Sequence, residues 1–183
     1  RLVVLERAAV NFARIWIDSD TCSVVGVSKD VNIMVETFEE IGGFKLMMLF
    51  DPSLMSLPSP VIKGNAVAEW EYFTTTYTSP ACGSGCPPGL VGVIGIADIN
   101  NGASHPSDEA FTPQGILGTM RFQISSYQPD FGTYLPIEFI WYECGDNALS
   151  SKSGDDLFID LYILNPEMDT LWNEDDDIAY PES

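Results

Sequence analysis

Two short runs of this chain carry the oxygen ligands that a hard cation prefers. The first is Asp98-Ile99-Asn100-Asn101-Gly102, continued by Asp108 and Glu109; the second gathers Asp146, Asn147, Asp155 and Asp156. Calcium draws its oxygens from carboxylates, amides and carbonyls. Asp98, Asn100, Asp108 and Glu109 therefore form one candidate site, and Asp146 with Asp155 a second. Neither is an EF-hand, because Gly102 stands fifth from Asp98 where that loop needs its glycine sixth. Asp, Asn and Gly also build turns without any ion, and both readings stand.

The cysteines are Cys22, Cys82, Cys86 and Cys144. Cys82 and Cys86 flank Gly83-Ser84-Gly85, where a short local bridge is feasible, which leaves Cys22 and Cys144 as a long-range staple. A zinc site built from all four thiolates is the competing reading. No Cys-x-x-Cys pair occurs, and His105 alone could add a further ligand, so disulfides and an oxidising compartment are the expectation.

Catalytic machinery is absent from the sequence. His105 sits in Gly102-Ala103-Ser104-His105-Pro106-Ser107-Asp108, and adjacent loop residues do not set a nucleophile, a base and oxyanion donors in one geometry. There is no Gly-x-Ser-x-Gly elbow and no phosphate-cradling loop. With 27 acidic residues, no single carboxylate pair is informative. The chain is expected not to be an enzyme. Aromatic platforms for sugar are conceivable on Trp70, Tyr72, Phe73 and Tyr77, and on Trp141 and Tyr142. At strand spacing such residues more often pack a core.

Those residues need elements to hold them. The 183 residues suffice for one domain with a real core, and 45% of them are hydrophobic. The 27 acidic side chains against 8 basic ones give a net charge of −19. Such a surface repels nucleic acid and anionic lipid, and attracts divalent cations or a basic partner. No run is long enough to span a membrane as a helix. The start at Arg1, with no leader pattern, reads as a mature exported product.

Short runs rich in Val, Ile, Phe, Tyr and Thr are punctuated by Gly, Pro, Asn and Asp. They predict strands at Phe12–Ile17, Val31–Thr37, Phe44–Phe50, Ala66–Tyr77, Leu90–Ala97, Gly115–Ile124, Ile137–Tyr142 and Leu157–Leu164. Val31, Ile33 and Val35 fall on one face, as do Met120, Phe122 and Ile124, with Arg121 and Gln123 opposite. Asp51-Pro52-Ser53-Leu54 could start a short helical turn capped by Asp51. Many short strands without long helices mean a sandwich or barrel.

The segment Ile41-Gly42-Gly43-Phe44-Lys45-Leu46-Met47-Met48-Leu49-Phe50-Asp51-Pro52-Ser53-Leu54 resembles the cohesin family, in which a glycine-led strand runs into a Tyr/Phe-Asp-Pro-Ser-Leu corner. Val91-Gly92-Val93-Ile94-Gly95-Ile96-Ala97-Asp98 followed by Gly115-Ile116-Leu117-Gly118-Thr119-Met120-Arg121-Phe122 is similar to the family's later strand pair. The segment from Gly132 to Phe139 fits the next strand, and Cys144-Gly145-Asp146-Asn147-Ala148-Leu149-Ser150-Ser151-Lys152-Ser153-Gly154-Asp155 looks like the end of such domains on bacterial surface proteins. The resemblance covers residues 12–164 and implies an all-β jelly-roll sandwich of about nine strands. It also implies that a calcium-loaded dockerin binds one sheet face. The cysteine loop and both terminal extensions depart from the pattern.

Residues 1–11 form an N-terminal extension and 165–183 an acidic tail. The apolar N-terminal residues can pair with their own sheet edge, or add as a donor strand to another subunit. The first functional expectation is thus a self-associating extracellular subunit of filament or surface-layer type. Its contacts would be Leu2, Val4, Leu5 and Val10 from the extension and Trp172, Ile178 and Tyr180 from the tail. The alternatives are a dockerin-type receptor and a carbohydrate-binding domain.

Overall fold

A computed structural model describes residues 3–7, 11–18, 25–37, 40–77, 87–99, 113–126, 134–141, 146–152 and 157–158. Twelve strands occur among these residues: β1 (Val3–Arg7), β2 (Asn11–Ile17), β3 (Ser28–Thr37), β4 (Ile41–Phe50), β5 (Met55–Ser56), β6 (Ile62–Lys63), β7 (Tyr72–Tyr77), β8 (Leu90–Ile96), β9 (Gln114–Ile124), β10 (Ile137–Phe139), β11 (Ala148–Ser151) and β12 (Leu157–Phe158). They form two six-stranded sheets. The first runs β1-β2-β3-β9-β5, with β6 also paired to β9; the second runs β12-β11-β4-β8-β7, with β10 also paired to β4. Every pairing is antiparallel.

The sheets stack because each long strand turns alternate apolar residues inward. Ile33 and Val35 of β3 meet Met120, Phe122 and Ile124 of β9 within the core, opposite Phe44, Leu46, Met48 and Phe50 of β4. Phe50 and Phe122 touch edge to face across the layers, with ring centroids 5.0 Å apart. A bulge in the β3–β9 ladder between Ile33 and Met34 changes the parity of β9, so Leu117 and Gly118 both turn inward. A Cβ at Gly118 would press on Val61 and Phe73, which explains a glycine there. Gly89 leads into β8 at φ +90°, where a side chain would also collide with the Phe50 carbonyl.

The structure divides the strand expected over Ala66–Tyr77. Asn65–Val67 is a 3₁₀ turn, and the strand begins only at Tyr72. The reason is topological: β6 pairs with β9 in the first sheet and β7 with β8 in the second, so the chain must cross the sandwich between them. The crossing is pinned by Lys63 Nζ, which donates to the carbonyls of Ala68 (3.1 Å) and Trp70 (2.7 Å). Asn65 Oδ1 accepts from the Ile116 N–H at 2.8 Å. The Asp51 corner is a tight turn and not a helix: Asp51 Oδ1 accepts from both the N–H and the hydroxyl of Ser53, at 2.8 and 2.6 Å. Those two bonds hold its carboxyl below the usual carboxylate range.

β1 pairs with β2 of the same chain, Val4 opposite Arg14 and Leu5 opposite Ala13. Val3–Arg7 of the N-terminal segment is therefore an edge strand of its own first sheet. No helix among the described residues is long and apolar enough to cross a membrane.

Candidate functional site

The two outer faces of the sandwich differ in chemistry. On the first sheet the outward residues of β2, β3 and β9 tie one another together across the strands. Arg121 grips Asp30 through two bonds of 2.7 and 2.8 Å, and this grip lowers the Asp30 carboxyl and raises the guanidinium. Thr119 Oγ1 donates to Asn32 Oδ1, Ser28 Oγ to Gln123 Oε1, and Gln123 Nε2 to the Gly26 carbonyl. Arg14 lies 4.7 Å over the Trp16 ring and 4.0 Å from Glu36.

On the second sheet the outward positions of β4 are Gly43, Lys45, Met47 and Leu49, because Phe44, Leu46, Met48 and Phe50 point into the core. Those of β8 are Leu90, Gly92, Ile94 and Ile96, paired one to one with Leu49, Met47, Lys45 and Gly43. β7 adds Tyr72, Thr74 and Thr76, and β11 adds Ala148 and Ser150. Met47, Leu90 and Ala148 are buried yet stand outside the core cluster, and Leu49, Ile94 and Ile96 are half-buried. The central strands of this face are thus apolar on both sides. An antiparallel sheet that meets only water on its outer side would carry polar residues there.

At the edge of this apolar row lies one ion pair. Lys45 Nζ stands 2.6 Å from Asp146 Oδ1, and the Asp146 side chain is only 1% exposed against 37% for Lys45. The turn holding Asp146 is fixed by its neighbour. β4 carries two ladders on the same edge, with β11 over Ile41–Lys45 and with β10 over Met48–Phe50. Met47 falls in the gap. Its carbonyl accepts from Ile140 N–H at 3.0 Å, and its N–H donates to the Asn147 side-chain oxygen at 2.8 Å. The Asn147 amide nitrogen then donates to the Ile140 carbonyl at 2.7 Å. One asparagine, held at φ 54°, closes three strands together.

The residues singled out from sequence fare unevenly. Asp98 follows β8 beside Glu71, whose carboxylate accepts from the Ile99 N–H at 3.0 Å. Asn100, Asp108, Glu109 and His105 lie outside the described residues, as do Asp155 and all four cysteines, Cys22, Cys82, Cys86 and Cys144. So do Leu2, Val10, Trp172, Ile178 and Tyr180. Among the described residues no group of three or more His, Cys, Asp and Glu is placed to hold a metal. Asp146 has Lys45 for its counter-charge, so its carboxylate is a partner in an ion pair. The sugar platform does not form on Trp70, which is 1% exposed and packs against Phe44 at 5.6 Å. Phe73 and Trp141 also lean on the core.

The residues that sequence reasoning passed over are Lys45, Met47, Leu49, Ile94 and Ile96. A signal for them existed: β4 and β8 read as apolar at both parities, where a one-sided strand alternates.

No protein-family model matches the sequence, and no curated protein matches it. Solved structures do match in shape. The OlpA cohesin of Clostridium thermocellum, solved in a type I cohesin–dockerin complex, aligns with a TM-score of 0.59 at 14% identity, over 80% of this chain and 91% of that one. A type II cohesin domain from the cellulosome of Acetivibrio cellulolyticus gives a TM-score of 0.56 at 13% identity, over 80% and 87%. The third ScaC cohesin of the same organism, solved with the ScaB dockerin, gives 0.54 at 18% identity, over 73% and 81%. The two sheets, their antiparallel order and these alignments together make the fold of this chain a cohesin-like β-sandwich.

Proposed function

We propose that this domain is a non-enzymatic receptor module that binds a dockerin-like protein through the outer face of its second sheet. The observation that carries the reading is the row Leu49, Ile94 and Ile96, half-buried apolar side chains pointing away from the core on the two central strands, beside Met47 and Leu90, which the chain itself already buries. Desolvating such a row against a partner is the main source of affinity in protein interfaces, and charged residues are depleted from interface centres. The only lysine in the row is already matched by Asp146. The OlpA and ScaC cohesins, similar in fold, were each solved with a dockerin bound. An exported or cell-surface setting accompanies this reading.

Self-association, the first expectation from sequence, has less support, since β1 is hydrogen-bonded to β2 of its own chain. Isothermal calorimetry of the whole chain against a panel of calcium-loaded type I and type II dockerins tests the receptor reading. Micromolar or tighter binding by at least one dockerin is expected. Silence across the panel, with the protein folded by circular dichroism, would sink it.

A further inference from the structure

We infer that Lys45 and Asp146 are the two halves of an intramolecular amide cross-link, a modification site that ties β4 to the turn preceding β11. This does not depend on what the outer face binds. Three features separate the pair from an ordinary surface salt bridge. First, the contact is short, at 2.6 Å, and one partner is buried to 1% exposure. Oδ1 is bonded to Cγ, so the lysine nitrogen lies at most about 3.8 Å from the carbon it would attack. Reacting atoms held near that separation gain a large effective concentration.

Second, both ends are fixed by backbone bonds. Lys45 sits mid-strand in β4, paired with Ile94 on one side and Ala148 on the other. Asp146 is held by the Asn147 clamp at Met47 and Ile140. Neither group can swing far from the other. Third, the surroundings are apolar: Met47 and Ala148 are buried, and Ile94 is half-buried. Burying charge is costly, and the amide the pair leads to carries none.

The chemistry balances without a co-reactant. The lysine ammonium passes one proton to the carboxylate, giving a neutral amine and a carboxylic acid. The amine lone pair attacks Cγ and forms the new C–N bond. The C–O bond of the acid hydroxyl then breaks, and that hydroxyl leaves with a second proton from the nitrogen as one water. Ammonium plus carboxylate becomes amide plus water, with no change of oxidation state. The half-exposed lysine side gives the water a way out.

The test is intact mass spectrometry of the full chain, denatured and reduced so that cysteine pairing does not contribute. The cross-link predicts a mass one water below that of the sequence. Trypsin would then fail to cut after Lys45, and the peptide spanning Asp30 to Lys63 would remain joined to that from Phe122 to Lys152. Lys45→Arg keeps a cation opposite Asp146 but removes the amine; it should restore the full mass and separate the peptides. A wild-type chain at full sequence mass overturns the inference. So does a water loss with Lys45 still cut, since that marks a succinimide at an Asp or Asn and not a cross-link.

Discussion

Asp30 and Arg121 meet as a bidentate pair on the outside of the first sheet, while the outward row of the second sheet has Met47 opposite Gly92 and Leu49 opposite Leu90. Both sheets are antiparallel, both contain six strands, and both send alternate residues into one shared core. They part only in what the other parity carries. On the first sheet it mixes cross-strand polar pairs with Trp16 opposite Met34 and an exposed Ile62 at the β6 edge. On the second it is apolar area, with its single lysine matched internally. Met47, Leu90 and Ala148 on this second face are already buried by the chain itself, so part of the apolar row serves folding. Leu49, Ile94 and Ile96 stay only half-buried, and it is this remainder that points to contact.

The sharpest way to break the second face is at Asn147. Asn147→Ala removes an acceptor from the Met47 N–H and a donor from the Ile140 carbonyl, and it puts a less tolerant residue at φ 54°. Each orphaned buried group costs about 1–3 kcal/mol, so a loss of about 3 kcal/mol is expected. For a chain of this size that lowers Tm by about 6–12 °C, readable by calorimetry. No single polar residue on the first sheet's outside should cost as much.

Binding separates the faces next. Ile94→Asp places a charge in the middle of the apolar row and should weaken a bound dockerin at least about 30-fold, the scale of a central hot spot. Ser28→Asp, on the exposed first face, should change affinity less than about threefold. Equal losses from both substitutions would mean that the outer faces do not differ in function. Calorimetric titration of both variants decides it.

How much of this was legible beforehand follows from what fixes each element. β3 and β9 are readable because their own alternation demands a buried face, as Ile33 and Val35 or Phe122 and Ile124 show at near-zero exposure, and β4 and β8 because each is a short apolar run bounded by turn residues. β11 does not read as a strand from its letters alone. Ala148-Leu149-Ser150-Ser151 has little strand character of its own and becomes one by lying along β4. The two-residue strands β5 and β6 exist only as pairings to β9. The same holds at the site. Asp146 stands out in the sequence as a carboxylate, but its lysine lies 101 residues away, and nothing local announces that β4 and the β11 turn meet. The apolar row was visible in the letters of Leu90-Val91-Gly92-Val93-Ile94-Gly95-Ile96, and only the fold shows which half of them is turned outward.

The smallest effect is expected where the first face is most tightly tied. Arg121 holds Asp30 by a hydrogen bond first and by charge second, with Lys29 adding a little, so the folded-state carboxyl titrates below its unfolded value. A depressed carboxyl adds stability that is present above the unfolded titration and is lost as pH falls through the folded one. Asp30→Asn should therefore lower Tm slightly at neutral pH, by about 1–3 °C, because both partners are exposed and screened by solvent. The gap between variant and wild type should close as the solution is acidified past the point where Asp30 takes up its proton, and it should shrink in high salt at any pH. A gap that stays constant from neutral to strongly acid pH would assign the loss to packing around β3 and β9. The outer lattice of the first sheet would then be structural in the same sense as the core, and the contrast between the two faces would rest on the second sheet alone.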